Sequence, residues 1–320
     1  MRFSVRRFVT LLAAAFLGMA APYAAGQEGD ASLDKLRLPG LNEYLPPQNR
    51  SPLALEEMGQ VTLSAQLTEE AGEIPRGLVW RVFSPEPDRN GKLPLIATAQ
   101  GGTSVLSLSP GSYLVHAAYG RAGATKRITV GSEPKSERLV LDAGGLKLDA
   151  VLSGGVRIPH DRLRFSIYEA EPEATGERPL VIPNVKPNAV VRLNAGTYHV
   201  VSTYGSVNAV IRSDIRVHAG ELTEATVEHR AAQLTLKLVR EPGGEAIADT
   251  AWSVVTETGE IVRETVGAFA SMVLAEGEYT AVARNRDRIY QSDFTVVPGR
   301  NQDVELLPDD LVEAADTLTD

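Results

Sequence analysis

The chain has 320 residues, of which 43% are hydrophobic and none is cysteine, and its formal net charge at pH 7 is −9. Without cysteine it has no disulfide, no thiolate nucleophile, no zinc site with sulfur ligands and no cysteine-linked lipid anchor. An acidic chain also repels nucleic-acid phosphates and anionic membrane surfaces, so we expect neither as a partner.

The first 26 residues have the features of a secretory signal peptide. A positive start is formed by Arg2, Arg6 and Arg7. An apolar stretch over residues 8–21 follows, and small residues then favour cleavage after Ala25 or Gly26. The apolar stretch is shorter than the roughly 20 residues that span a bilayer. An uncleaved N-terminal anchor and a twin-arginine export route are the alternatives. Removal of this segment leaves a mature chain with a net charge of −12 and no integral membrane segment.

Residues 27–59 are predicted to be a linker, because turn-forming residues interrupt every periodic pattern there. A second interpretation also follows from this stretch. Its spread leucines could dock it onto a neighbouring unit: Leu36, Leu38, Leu41 and Leu45. Residues 53–59 could form a short helical turn.

From residue 60 onward, strand signals dominate, and one corner motif recurs three times. The motif is a leucine, two residues of any type, a glycine, one residue of any type and a tyrosine. Its glycine and tyrosine are Gly111 and Tyr113, Gly196 and Tyr198, and Gly277 and Tyr279. The tyrosines are 85 and 81 residues apart. Aromatic residues at strand centres keep nearly the same period: Trp80, Phe165 and Trp252. This period indicates a β-sandwich of roughly 80–100 residues copied three times.

These nine residues are assigned structural roles. Glycine permits the chain reversal that enters the strand. The tyrosine ring is expected in the core, with its hydroxyl bonded to a buried backbone group, as in the tyrosine corner of Greek-key sandwiches. The strand-centre aromatics are expected to pack against it.

The run Leu108-Ser-Pro-Gly-Ser-Tyr113, followed by an apolar strand and a turn at Gly120, resembles bacterial immunoglobulin-like or transthyretin-like repeats. The carboxypeptidase-regulatory type is the most similar, and the resemblance covers residues 60–307. Ala195 and Glu276 depart from it where the first copy has Pro110. The resemblance implies spacers, adhesive modules or sugar-binding additions in envelope proteins, and a fold does not choose among these.

The predicted fold class is therefore all-β, with three tandem Greek-key immunoglobulin-like β-sandwiches after a signal peptide. The predicted division is a signal peptide at 1–26, a linker at 27–59, sandwich repeats at 60–143, 144–231 and 232–307, and an acidic tail at 308–320. Pro308 and two following aspartates are helix-starting signals, so the tail is either frayed or a short helix that caps the last repeat.

Little in the sequence indicates chemistry. The five histidines lack the spacing of a metal site, and no nucleophile elbow, phosphate loop or dinucleotide motif is present. No catalytic residue and no cofactor is predicted. Glu86, Asp88 and Asn90 precede Gly91 as alternating oxygen donors, which makes them a weak calcium candidate. They lack the distal bidentate acid of such a loop, and Asn-Gly is also typical of a tight hairpin turn.

The predicted function is a non-catalytic periplasmic or extracellular scaffold or binding protein of the cell envelope. Its strand edges or loops would contact a protein partner. The candidate loops are residues 84–95 and 169–188, because they vary most between the repeats and are richer in proline and charge than the short residues 256–260. The alternative is a carbohydrate-binding protein whose exposed tyrosines stack on a glycan: Tyr119, Tyr204 or Tyr290. A third possibility is an enzyme with two carboxylates brought together by folding.

Overall fold

The structure, a computed structural model, describes residues 44–45 and 58–312. The predicted signal peptide, most of the predicted linker and residues 313–320 lie outside the described residues. The chain divides into two compact units, residues 1–38 and residues 39–320, and every described residue belongs to the second.

The described residues form strands joined by turns, with two short 3-10 helices, His160–Arg162 and Pro308–Asp310, and no α-helix. We call residues 59–140, 143–229 and 231–306 repeats 1, 2 and 3. The strands of repeat 1 are β2 (Gly59–Gln66), β3 (Leu78–Phe83), β4 (Leu93–Gly101), β5 (Ser104–Leu108), β6 (Gly111–Tyr119), β7 (Ala122–Val130) and β8 (Lys135–Val140).

The strands of repeat 2 are β9 (Ala143–Leu152), β10 (Val156–Arg157), β11 (Leu163–Glu169), β12 (Leu180–Val185), β13 (Val190–Asn194), β14 (Gly196–Tyr204), β15 (Val210–Val217) and β16 (Leu222–His229). Those of repeat 3 are β17 (Ala231–Leu238), β18 (Thr250–Thr256), β19 (Ile261–Val266), β20 (Phe269–Ala275), β21 (Gly277–Asn285), β22 (Arg288–Val296) and β23 (Gln302–Leu306). Two further short strands flank the repeats, β1 (Tyr44–Leu45) and β24 (Leu311–Val312).

Each repeat has the same two sheets. In the smaller sheet the first strand is central, antiparallel to one neighbour and parallel to the last strand of the repeat, in the orders β5-β2-β8, β13-β9-β16 and β20-β17-β23. The larger sheet is antiparallel, in the orders β4-β3-β6-β7, β12-β11-β14-β15 and β19-β18-β21-β22. The all-β sandwich class predicted from the sequence is confirmed, whereas the number of independent domains stays a prediction.

Alternating side chains explain why these segments become sandwich strands. In β9 and β17, nearly every second residue is buried, as expected when one face of a strand packs on a core. The buried residues form three hydrophobic clusters, one between the two sheets of each repeat. These clusters hold the sheets together without a disulfide, since the chain has no cysteine.

The short flanking strands extend the larger sheets of repeats 1 and 3. β1 pairs in parallel with β4, and β24 pairs antiparallel with β22. The segment predicted as a linker therefore contains a strand that belongs to the first sheet. The helix-starting signals near residue 308 give only the 3-10 turn, in which the Asp310 carboxylate accepts a hydrogen bond from the Leu307 amide at 2.7 Å. Leu311 and Val312 then pair with a sheet edge, because such a short isolated helix is marginal.

Candidate interaction surface

The three corner tyrosines lie in equivalent positions. Each ring is 5–8% exposed, and each hydroxyl donates to the carbonyl four residues earlier. The donor–acceptor distances are 2.9 Å for Tyr113, 3.0 Å for Tyr198 and 3.1 Å for Tyr279. Burial raises the pKa of Tyr198 to about 12, so its phenol stays protonated and can donate. The corner glycines have positive φ angles that disfavour other residues: Gly111, Gly196 and Gly277.

The strand-centre aromatics occupy the cores. Trp80 and Phe165 are fully buried, and Trp252 is 2% exposed. Each indole donates to a backbone carbonyl, at 2.9 Å from Trp80 to Gly102 and at 3.1 Å from Trp252 to Gly267. Burial of this kind serves packing and leaves no aromatic face for a ligand.

Repeats 1 and 2 meet through direct hydrogen bonds. The Arg121 amide in the turn after β6 donates to the Arg192 carbonyl of β13 at 3.0 Å. Asn194 accepts from the Gly123 amide at 3.1 Å and donates to the carbonyls of Gly123 and Leu141 at 3.1 and 2.7 Å. One asparagine side chain thus satisfies three backbone groups from the preceding repeat.

Repeats 2 and 3 meet at the equivalent place with the asparagine on the opposite partner. Asn208, in the turn after β14, accepts from the Ala275 amide at 3.0 Å and donates to the Tyr279 hydroxyl at 2.8 Å. Ala275 has the position in repeat 3 that Asn194 has in repeat 2, because each follows the corner leucine. Both contacts fix the orientation of one repeat against the next.

Glycine at the first position of these turns lets the repeats approach closely. A Cβ atom on Gly120 would lie 3.0 Å from the Arg192 Cβ, and one on Gly205 would lie 2.8 Å from the Val273 Cβ. The equivalent residue of repeat 3 is Arg286, which adopts a φ of 55°. Within the described chain no further repeat follows it, so the space that glycine provides is not needed there.

The outer face of the larger sheet of repeat 3 is an exposed apolar surface. One residue from each of five strands stands in a single row, in the order Val266, Ala251, Arg284, Ile289 and Val312. Val266 is 74% exposed, Ile289 is 41% exposed and Val312 is 45% exposed. Ile289 and Val312 adjoin each other, while Ala251 and the exposed Arg284 separate them from Val266, so the row is a mixed apolar and basic surface that suits an interaction site.

A groove of about 560 Å³ follows this row and the next one. The second row adds Glu264, Ser253 and Val282, and the Ser253 hydroxyl donates to the Glu264 carboxylate at 3.1 Å. We call the two rows the open face of repeat 3. Its lateral limit is β19, an edge strand among the described residues, where Ile261 is also 57% exposed.

Positive charge lies at one end of the open face. Arg284 belongs to the apolar row, and Arg286 and Arg288 are exposed in the adjoining turn with one acid, Asp287. Within residues 58–312 no ion pair involves these three arginines. The open face therefore combines aliphatic contact area with donors for a carboxylate.

The calcium candidate forms a turn in the structure. The Asp88 carboxylate accepts from the amides of Asn90 and Lys92 at 2.9 and 2.8 Å, and Gly91 has a φ of 76°. The carboxylate thus caps its own hairpin, as aspartate commonly does. Glu86 is exposed, and its amide bonds to a serine hydroxyl at 3.3 Å. No group of three acidic or histidine side chains suited to a metal ion occurs among the residues described.

Two histidines are buried, and both are neutral. Burial lowers the pKa of His229 to about 4, and its Nε2 lies 2.7 Å from the Ser202 hydroxyl with the Tyr204 ring against it. Burial and the nearby Arg81 guanidinium lower the pKa of His116 to about 4. Ser202 and His229 are each 1% exposed, so a substrate cannot reach this pair.

The residues predicted for sugar stacking are covered. Tyr204 is 2% exposed and Tyr290 is 9% exposed. The Arg192 guanidinium lies over the Tyr119 ring at 4.3 Å from its centroid. The candidate contact loops are shorter than predicted, since β4 begins at Leu93 and β12 at Leu180.

Sequence reasoning missed the open face of repeat 3. Its residues alternate with the core residues along β18 and β21, so the same period-two pattern contains them. Two of the outward positions, Ala251 and Val282, are apolar where a solvated face has polar residues, and this was the available signal. No helix within residues 58–312 is long and apolar enough to cross a membrane.

Comparison with known proteins gives one family match. Residues 233–308 match the Rhizobiales growth-associated tandem repeat domain, and this range is repeat 3 almost from end to end. The match covers less than half of the chain. No curated protein matches this sequence.

The solved structures that are similar to this chain include streptococcal pilins. The Bacillus anthracis TIE protein is 18% identical with a TM-score of 0.25, over 78% of this chain and 50% of its own, so this chain spans half of that protein. The streptococcal ancillary pilin is 12% identical with a TM-score of 0.31, over 78% and 99% of the two chains. The minor pilin of Streptococcus agalactiae is 14% identical with a TM-score of 0.30, over 53% and 95%. At these scores no function is transferred from them.

Proposed function

We propose that this protein is a non-catalytic scaffold of the cell envelope, periplasmic or released, that binds a protein partner through the open face of repeat 3. The observation that carries the proposal is the row of five residues, in which Val266 at one end is 74% exposed and Ile289 and Val312 at the other end are 41% and 45% exposed. An aliphatic row of this kind is costly to keep in water unless a partner covers it.

The partner that fits is an extended protein segment with apolar side chains and a carboxylate. β19 is a sheet edge among the described strands, so a segment can add to it by backbone hydrogen bonds. Side chains on one face of that segment would then lie over the groove, and its carboxylate would meet Arg284.

The name of the matched family adds the process in which the scaffold would act. A growth-associated tandem repeat domain matches residues 233–308, so we place the partner among proteins needed for envelope growth. The direct hydrogen bonds at both junctions support a scaffold role, because they hold the repeats in a fixed succession.

The proposal includes the domain boundaries predicted from the sequence. Three clusters of buried residues support domains at 60–143, 144–231 and 232–307, and Ala231 and Val273 of repeat 3 join the cluster of repeat 2. A chain of residues 232–307 alone should fold with a single cooperative transition and the circular dichroism of a β protein. An unfolded product would show that repeat 3 depends on its neighbour.

Site-specific cross-linking tests the open face in cells. A photoreactive amino acid at Val266 should give one discrete cross-linked envelope protein. The same amino acid at Val105, a 61% exposed valine on the smaller sheet of repeat 1, should give none and serves as the matched control. Equal products at both positions, or none at either, would contradict the proposal.

A growth assay tests the process. In cells that lack the protein, a copy with Val266→Asp should restore growth less well than wild type, whereas Val105→Asp should restore it fully. Both variants must be present in equal amounts. If both variants restored growth fully, the open face would not act in growth, even if a cross-linked partner were found.

A further inference from the structure

The larger sheets of the three repeats end, on one side, in strands at the same place in the fold: β4 in repeat 1, β12 in repeat 2 and β19 in repeat 3. Among the described strands, only β4 has a further strand on this edge, and that strand, β1, runs parallel to it. Because the three edges occupy one position in a common topology, the pairing of β1 shows the direction in which a segment adds there.

β4 and β19 correspond residue by residue where they begin. The Ser84 amide donates to the Pro94 carbonyl, and the Thr256 amide donates to the Glu260 carbonyl, at 2.9 Å in both repeats. Each strand then has one register shift against its inner neighbour, between the first and the second residue pair. Leu45 of β1 pairs with Pro94, so the corresponding place on the edge of repeat 3 is beside Glu260.

Of the two edges without a described neighbour, β19 is the regular one. β12 has two register shifts against β11, contains Pro183, which has no amide hydrogen, and has Asn184 at a φ of 54°. Irregularities of this kind protect a sheet edge against a further strand. β19 pairs with β18 without a shift from Arg263 to Val266 and contains no proline. β19 is therefore the edge that accepts a strand along its length.

A second copy of β19 is a poor partner for this edge. Opposite residues of an antiparallel pair share one face of the sheet, so two copies with the longest overlap would centre on Arg263 or on Glu264. The same charge would then lie directly opposite itself, which is destabilising. This argues for a strand of different sequence.

The two ends of β19 differ in charge. At its upstream end Glu257 and Glu260 are exposed, and within residues 58–312 neither has an ion pair. At its downstream end Val266 is 74% exposed and lies in the same row as Arg284. A strand parallel to β19 therefore starts beside carboxylates and ends at the apolar and basic part of the open face.

We infer that the partner segment adds to β19 as a parallel strand in which a basic residue comes first, apolar residues follow at every second position, and the carboxylate comes last. This inference rests on the proposed function and adds the direction and residue order of the bound segment. The basic residue lies beside Glu260, where an opposite-charge pair across the strands is stabilising. Alternation keeps the apolar residues on the face of the sheet that carries Ile261 and Val266.

Two peptides of identical composition test the direction. The first, with both ends blocked, is Lys-Thr-Val-Thr-Val-Thr-Glu, and the second has the reverse order. The first should bind the purified chain about 10-fold more tightly, because reversal in a parallel strand turns two opposite-charge contacts into two like-charge contacts. Fluorescence anisotropy of labelled peptides gives both affinities. Equal affinities, or tighter binding of the reversed peptide, would contradict the inference.

A matched pair of variants assigns the upstream contact. Glu260→Gln should reduce the preference for the first peptide, whereas Glu173→Gln, at an exposed glutamate of repeat 2, should leave it unchanged. Neither side chain is buried, so both variants are expected to fold. An identical preference in the two variants would show that the basic residue does not lie beside Glu260.

A spin label measures the direction independently of charge. A nitroxide at the downstream end of the bound first peptide should broaden the amide NMR signal of Val266 more than that of Glu260. The opposite result would reveal an antiparallel strand and overturn the inference, while the proposed function would stand. Absence of binding by both peptides would overturn strand addition at β19. Absence of a cross-linked protein at Val266 in cells would instead overturn the proposed function.

Discussion

The larger sheets of repeats 1 and 3 have the same strand order but opposite outer faces. In repeat 1 the outward residues Arg81, Phe83 and His116 are buried, whereas in repeat 3 the outward residues Val266 and Ile289 are exposed. Both sheets gain one short extra strand, β1 in one and β24 in the other. The comparison teaches that one sandwich topology can present an outer face that is buried in one repeat and exposed in another.

Replacement of a side chain by alanine at equivalent positions of repeats 1 and 3 should give the largest difference in the free energy of unfolding between the two outer faces. Phe83→Ala should lower the free energy of unfolding by about 3–4 kcal/mol, because it empties a fully buried site. Val255→Ala, at the same position in repeat 3, should cost about 1 kcal/mol or less. Urea unfolding of each variant gives the two values. Equal losses would mean that the two faces are covered alike.

Low pH should lower the stability of repeat 1 through protonation of His116, whereas repeat 3 should show no such histidine-dependent loss. The pKa of His116 is about 4 in the folded chain, below its ordinary value of 6.5, because of burial and the nearby Arg81 guanidinium. The unfolded chain therefore binds the proton first, so stability is complete above pH 6.5 and falls as the pH drops towards 4. The loss for this one residue is up to about 3 kcal/mol.

His116→Val, which installs the residue found at 282, should remove that share of the acid sensitivity. Thermal melts at pH 7 and pH 4.5 measure the difference between the variant and the wild type. His229, also with a pKa of about 4 in repeat 2, keeps its own contribution in both chains and serves as the internal reference. An unchanged difference between the two melts would show that the imidazole is not buried.

The junctions between successive repeats determine whether the buried outer face of repeat 1 and the open face of repeat 3 keep a fixed relative orientation. Gly205→Ala puts a Cβ atom 2.8 Å from the Val273 Cβ at a φ of 76°, and should cost about 2 kcal/mol. Arg286→Gly, at the equivalent turn after β21, should be neutral or slightly stabilising because it relieves a positive φ of 55°. Calorimetry of the two variants checks this; equal effects would indicate that the repeats do not pack closely.

A charge on the open face should change binding without changing stability. Val266 is 74% exposed, so Val266→Asp should alter the free energy of unfolding by no more than about 0.5 kcal/mol. In a pull-down with the purified chain as bait, the same variant should capture less of the partner that is identified by cross-linking at Val266. A large fall in melting temperature would mean that the open face is packed against something in the isolated chain.

Calcium removal is expected to have no effect. The Asp88 Oδ1 already accepts hydrogen bonds from two backbone amides at 2.9 and 2.8 Å, so the hairpin is expected to be stable without a cation. Dialysis against a chelator should leave the melting temperature unchanged. A fall of several degrees that calcium restores would instead support the site formed by Glu86, Asp88 and Asn90.

The sequence predicts the sandwich well because each unit repeats short local signals. Glycine and tyrosine two residues apart specify the corner, and alternation along β9 or β17 specifies the buried face. These signals depend on neighbours within a few residues, so they can be recognised without the tertiary structure.

The outer faces and the junctions depend on residues far apart in the chain. Asn194 and Asn208 are unremarkable in sequence, yet each bonds to groups in another repeat 67 to 71 residues away. Pro308 and its aspartates predict a helix, but an available sheet edge at β22 gives Leu311 and Val312 better hydrogen bonds. Such outcomes are set by competition between partners that local patterns do not contain.

The parallel pairing of the first and last strands has a mechanical consequence. In every repeat the chain enters and leaves through adjacent strands that run in the same direction, β2 with β8, β9 with β16 and β17 with β23. Tension along the chain therefore shears the two strands past each other, so that all the hydrogen bonds between them bear the force at the same time. The evenly spaced hydrogen bonds of these parallel pairs must then fail together, so each repeat resists stretching at the strands through which it is joined to its neighbours.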